Sequence, residues 1–223
     1  MKCLTITAAI TVMACFAATQ AQSATIQFQN LTLDGDGAFG IRDANGVLVG
    51  GSEFQGAMGY FTVSNSAIID SFAANDLAAI GSAFTQFDPI DGTFSLGSVV
   101  PGIFQANEIF DTRIASNSFG GRAIYAVLYK GTSIATASEL FIAQLNAQFP
   151  TDPVIGFDPP VTVLLSPTTV NNLVIGTSGG PSHDYGFGGG ALPTFGLVAA
   201  VPEPTRTWLL LLGLMGACLR RRR

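Results

Sequence analysis

Histidine occurs once in the 223 residues, at position 183, and tryptophan once, at 208. The three cysteines, Cys3, Cys15 and Cys218, all sit in the apolar ends, so residues 25–200 hold no thiol. That stretch therefore has no disulfide framework, no thiolate nucleophile and no zinc–thiolate site. At roughly 175 residues it is long enough to bury a core without such staples. Basic residues are also scarce there: Arg42, Arg113, Arg122 and Lys130 stand against fourteen acids, a net −10 that the −5 of the whole chain conceals. Such a surface repels phosphate backbones, so nucleic acid is not an expected partner. Solubility accounts for the acidity first, and attraction of divalent cations or basic surfaces second.

What is present at the two ends concerns location. Met1-Lys2 followed by an apolar, threonine-dotted run over 3–18 has the charge and length of a secretory signal peptide. Small residues at Ala21, Ser23 and Ala24 offer cleavage sites, with Ala21-Gln22-Ser23 and Thr19-Gln20-Ala21 both fitting a small-x-small rule, which puts the mature start near 22–25. Val12-Met13-Ala14-Cys15 loosely matches a lipoprotein signal, but Phe16-Ala17-Ala18 stays apolar where a polar tether belongs.

At the other end stand Val201, Pro202, Glu203 and Pro204, then Thr205-Arg206-Thr207, an uncharged run, and four arginines. The run is Trp208, Leu209, Leu210, Leu211, Leu212, Gly213, Leu214, Met215, Gly216, Ala217, Cys218 and Leu219. As a helix it measures roughly 18 Å, short of a hydrocarbon core of about 30 Å. The stems of Arg206 and Arg220 can snorkel and the bilayer can thin, which makes a short anchor tolerable. Arg220, Arg221, Arg222 and Arg223 favour the cytoplasmic side, leaving the body outside. Pro202 and Pro204 disfavour helix before them, so an extended, enzyme-accessible stalk is predicted.

Pro202-Glu203-Pro204, the apolar run and the terminal arginine cluster together resemble the PEP-CTERM sorting signal of Gram-negative bacterial exoproteins. The resemblance covers residues 200–223 and implies processing during export by an exosortase, a membrane-embedded, cysteine transpeptidase-like enzyme. A plain stop-transfer anchor has no need of the proline pair.

Between the ends, short β-branched and aromatic runs separated by glycine, serine and asparagine predict a mainly β body. The expected fold is an antiparallel sandwich-like domain with one or two short helices, flanked by an N-terminal signal helix and a C-terminal hydrophobic helix. Strands are predicted at 25–31, 39–42, 47–49, 59–63, 92–96, 122–129 and 139–143, with 161–165 and 172–175 as a final pair. Asn45-Gly46 signals a tight hairpin, and the nearly continuous apolar run 122–129 a central strand. A helix capped near Asn75-Asp76 would carry Leu77, Ile80, Phe84 and Phe87 on one face and stop at Asp88-Pro89. The predicted organisation is signal peptide 1–24, β-rich domain 25–176, glycine- and proline-rich linker 177–200 and sorting segment 201–223.

Candidate chemistry is sparse. Asp34-Gly35-Asp36-Gly37 suggests a calcium loop, but Ala38 and Asn45 stand where an EF-hand needs ligands, so a turn is expected. His183 lies between Ser182 and Asp184, whose side chains diverge from it, and reads as an exposed loop residue. Gly186-Phe187-Gly188-Gly189-Gly190 lacks the strand and helix of a dinucleotide fingerprint. Glu53, Glu108 and Glu139 could each pair with an aspartate as acid and base, a reading that needs two carboxylates facing each other across a cleft; solvated carboxylates on an acidic surface are the commoner arrangement. No catalytic, cofactor-binding or metal-ligating residue is assigned. The expectation is a non-enzymatic exported protein, anchored for a time in the inner membrane and then at the cell surface or in the extracellular matrix. The alternatives are a carbohydrate-binding or polysaccharide-associated module and a glycan hydrolase using a carboxylate pair.

Overall fold

The structure, a computed structural model, describes residues 24–31, 37–87, 93–97, 100–111, 119–149 and 161–200. The signal segment, the Asp34-Gly35-Asp36 part of the predicted turn, the Asp88-Pro89 stop and the sorting segment 201–223 lie outside the described residues. Among the described residues no helix is long and apolar enough to cross a membrane.

The chain is mainly β with two short helices. In order it runs β1 (Ala24–Gln29), β2 (Ile41–Arg42), β3 (Phe54–Phe61), α1 (Asn65–Ala73), α2 (Leu77–Ala83), β4 (Phe84–Gln86), β5 (Phe94–Ser95), β6 (Gln105–Asp111) and β7 (Ala123–Lys130). A 3-10 turn (Ile134–Thr136) then leads to β8 (Glu139–Gln148), β9 (Val161–Leu164), β10 (Val170–Ile175), β11 (Thr177–His183), β12 (Leu192–Gly196) and β13 (Val198–Ala199). The large sheet has the order β10-β8-β7-β3-β4, with β5 on β3 and β13 on β8, and is antiparallel throughout. Two three-stranded sheets, β6-β1-β9 and β11-β12-β2, each contain one parallel pair, β1 with β9 and β2 with β12.

Strand β7 is central, as its apolar run predicts. Ile124, Ala126 and Leu128 join one core, and Tyr125, Val127 and Tyr129 the other, because alternate side chains leave a strand on opposite faces. The first core receives Ile26 and Phe28 from β1, Ile41 from β2, Val163 from β9 and Phe195 from β12, so the small sheets cover that face in a sandwich-like packing. Phenylalanine fills it: Phe119 meets Tyr60, Phe87 and Phe149 edge-on at 5.0–5.3 Å, and Phe141 meets Phe195 at 5.5 Å. The second core lies under Ile68 of α1, Leu77 and Ile80 of α2, and Ile134 of the 3-10 turn.

Asn30, fully buried at the end of β1, ties the first core's loops together. Its Nδ2 donates to the carbonyls of Phe39 (2.9 Å) and Gly102 (2.7 Å), and its Oδ1 accepts from the Phe104 amide at 2.8 Å. Three backbone groups from two loops are thus satisfied by one side chain in a place water cannot reach.

Several expectations are corrected. The helix over 77–87 stops at Ala83, because Phe84–Gln86 pair with Gly59–Phe61 of β3. Side chains then alternate at two-residue spacing, which sends Phe87 into the first core while Leu77 and Ile80 stay in the second. Asp76 does cap α2, accepting from the Ala79 amide at 2.9 Å. A second helix, α1, precedes it, capped by Ser64. The strand read as 59–63 is longer and earlier. Strands β9 and β10 do not pair with each other, since the Ser166–Thr169 turn steps the chain from the sheet of β1 to the edge of β8. Residues 177–193, expected as loop, form β11 and enter β12; β11 is the edge strand of its sheet, where Pro181 and two glycines are tolerated. In the 43–46 hairpin only Gly46 has positive φ (82°), and the Asp43 carboxylate closes the turn by accepting from the amides of Asn45 and Val47.

The Asn30 node sets a test. Asn30→Ala removes the partner of the Phe39 carbonyl and the Phe104 amide, while the Gly102 carbonyl keeps its bond from the Ile41 amide, and is expected to cost about 3 kcal/mol in urea unfolding followed by circular dichroism. Asn30→Asp, which turns an acceptor toward the same two carbonyls, is expected to cost at least as much at neutral pH. A loss under about 1 kcal/mol for both variants would remove Asn30 as the node.

Candidate functional site

Of the three glutamates considered as acids, Glu53 and Glu139 meet at one lysine, and Glu108 is a residue of β6. Lys130, at the end of β7, stands between the first two, with Nζ 3.8 Å from Glu53 and 3.5 Å from Glu139. Glu139 faces Lys130 in the β7–β8 register, is 6% exposed, and its second oxygen accepts from the Ala44 amide at 2.7 Å. An ammonium thus fills the space that an acid–base pair would leave for substrate. The arrangement fastens the 43–46 turn to the large sheet.

A cavity of about 360 Å³ opens on the helix side of the large sheet, where α2 and the 3-10 turn stop short of the sheet's edge. Its floor is a directly opposed cross-strand pair, Gln55 of β3 and Tyr129 of β7, whose hydroxyl donates to Gln55 Oε1 at 3.2 Å. Ala57 and Gly81, both small, leave the hollow; Phe84 of β4 walls one side. Gln86 and Thr93 form the adjoining rim, with Gln86 Nε2 donating to Thr93 Oγ1 at 2.9 Å. Thr132 and Ser133 close the other side, and none of the described residues lining the space is charged. Burial pushes the Tyr129 hydroxyl above its usual range, offset in part by a hydrogen bond with Thr93, so it stays protonated.

A second cavity, about 310 Å³, lies beside Arg42, which is committed to protein oxygens: Nε to Thr194 Oγ1 (3.1 Å), one terminal nitrogen to the Gly46 carbonyl (2.7 Å) and the other to the Pro181 carbonyl (3.4 Å). The guanidinium thereby stitches β11, β12 and the 43–46 turn. His183 is the last residue of β11 rather than a loop residue, half-buried with its ring 4.4 Å from Tyr185. The connection 184–191 carries the glycine run, with Gly186, Gly188 and Gly190 at positive φ. Tyr185 reaches from it over Gly40 and Gly102, where any side chain would collide with the phenol oxygen. That oxygen is buried and finds no hydrogen-bond partner among the described residues.

Among the described residues no three histidine, cysteine, aspartate or glutamate side chains lie close enough to hold a metal ion. Neither the Tyr129 cavity nor the Tyr185 notch is foreseeable from spacing, since each joins residues far apart in the chain. Comparison of the chain with protein-family models, with curated proteins and with solved structures finds no match.

Burial pushes the Tyr185 hydroxyl up to about 12, with the Arg42 charge pulling the other way. A folded value above the unfolded 10.0 means that this contribution to stability is complete below pH 10 and is lost as pH rises toward 12. Tyr185→Phe removes a buried, unpartnered hydroxyl, so at pH 7 the variant is expected to match or exceed the parent by up to about 1 kcal/mol. Between pH 10 and 12 its midpoint of thermal unfolding is expected to fall less steeply. Tyr125 and Tyr129, also raised by burial, keep some slope. Parallel curves for parent and variant would contradict the assignment.

Proposed function

We propose that the chain is an exported protein of the PEP-CTERM kind, sorted through its carboxyl-terminal segment. The β-rich body sits outside the inner membrane and is then retained at the cell surface or released into the extracellular matrix. The observation that carries this reading is the joint presence of Pro202-Glu203-Pro204, the apolar run 208–219 and Arg220–Arg223 with a signal-like amino terminus. Each part has a physical job: the apolar run partitions into lipid, the arginines hold its end inside, and the prolines present an extended peptide. Three features of the body are consistent with it. The described ladders begin at Ala24 and finish at Ala199, between the two signals. Residues 25–200 contain no thiol to misoxidise outside the cytoplasm. Their acidic surface suits a soluble extracellular body.

The role is adhesive or structural rather than enzymatic in this reading, which is supported by Glu53 and Glu139 both being engaged by Lys130. The partners are an exosortase-type enzyme and the membrane.

Replacing Pro202, Glu203 and Pro204 by alanine tests recognition. Translocation is expected to continue, with the amino-terminal segment removed, while the protein accumulates uncut in the membrane fraction. Processing and release at the parental rate would show that the motif is not what the export machinery reads.

A further inference from the structure

The Tyr129 cavity has a composition that selects one class of ligand. Its lining, among the described residues, offers two primary amides, a phenol and three aliphatic hydroxyls, from Gln55, Gln86, Tyr129, Thr93, Thr132 and Ser133, and no carboxylate, ammonium or guanidinium. An ionic ligand would enter with its charge unpaired. A purely apolar ligand would strand polar groups, foremost Gln55 Nε2. With Gln55 Oε1 occupied by the Tyr129 hydroxyl, the Nε2 donors have no protein partner among the described residues. What fits is an uncharged molecule with adjacent hydroxyls, each able both to donate and to accept, and with a C–H face for the Phe84 ring. The volume of about 360 Å³ lies within the range of small-molecule sites.

We infer that this cavity is a binding subsite for a neutral sugar unit of a polysaccharide, with Gln55 as the central hydrogen-bonding residue and Phe84 as the apolar wall. The floor is preorganised. Gln55 and Tyr129 sit opposite each other on two strands of the large sheet, and their mutual hydrogen bond fixes the amide before any ligand arrives. The rim comes from β4, the segment before β5 and the loop after β7, and its mouth opens on solvent, so a longer chain can pass with one unit inserted. Nothing in this assignment requires the sorting reading: a protein that binds sugar but is never cut, or is cut but binds no sugar, separates the two.

The test uses the full-length protein in a non-glycosidic detergent, titrated by calorimetry with hexasaccharides of neutral α-glucan, β-glucan and β-galactan, and with an alginate hexasaccharide as the charged control. At least one neutral hexasaccharide is expected to bind saturably, at least about tenfold more tightly than alginate. Gln55→Ala should weaken that binding about tenfold, the loss of one ligand hydrogen bond at a partly buried site. Ala135→Trp, at an exposed position of the lining, blocks the cavity without touching the cores and should abolish binding. Asn171→Ala, exposed on β10, should leave it unchanged. Absence of binding to every neutral hexasaccharide up to about 10 mM, preference for alginate, or binding that survives Ala135→Trp overturns the inference.

Discussion

Burial of β7 on both faces is the constraint from which the rest follows. A strand reading Ala-Ile-Tyr-Ala-Val-Leu-Tyr-Lys has no polar face to give to water, so the large sheet needs a cover on each side. On one side two small sheets and a cluster of phenylalanines supply it. On the other, the described residues supply two helices of nine and seven residues and a 3-10 turn. These protect the β7–β8 half of the sheet and leave a strip over β3 and β4 thinly covered. The polar residues of that strip, Gln55 and Gln86 among them, are the sheet's answer to partial exposure, and the cavity is the space the short helices leave.

Without disulfides, the loops are held by single polar side chains that each satisfy several backbone groups. Asn30 does this for the 37–39 and 102–104 segments, Arg42 for β11, β12 and the 43–46 turn, and Glu139 for that same turn from the other direction. The Asn30 node is buried and so favours a single arrangement most strongly, while the Arg42 and Glu139 nodes work nearer the surface. Tyr185 is the exception. Its ring uses the room left by Gly40 and Gly102, but its hydroxyl meets no hydrogen-bond partner among the described residues, a local conflict that the packing of the ring outweighs.

The strands that bury both faces or alternate cleanly, β1, β7 and β8, are legible in the sequence because their pattern records their surroundings. What is not legible is partnership. Residues 161–165 and 172–175 look like neighbours along the chain, yet a four-residue turn sends them to different sheets. The segment Leu77 to Phe87 fits a helical spacing throughout, but Gly59 on a distant strand gives Phe84 room to lie across it, and strand pairing overrides the helix. Edge strand β11 is hidden because Gly-Gly-Pro carries no apolar signal and it is held by backbone pairing with β12 and by the side chains of Arg42 and Thr194 on the Pro181 carbonyl. The helix α1 left a trace, Ser64 four residues before Ile68 with Phe72 one turn further, too short to stand out. The cavity left no trace, since its floor pairs residues 74 apart.

The proposal joins a thiol-free, acidic, doubly covered sheet to two terminal segments read as export and sorting signals. Its central claim is that the finished protein is the body alone, outside the inner membrane. Mass spectrometry of the intact protein recovered from the cell surface and the medium tests it most directly, by weighing both ends at once. The account predicts a first residue between 22 and 25 and a final residue close to Pro202-Glu203-Pro204, with the apolar run and arginines gone. A full chain from Met1 to Arg223, found soluble in the cytosol, would contradict it.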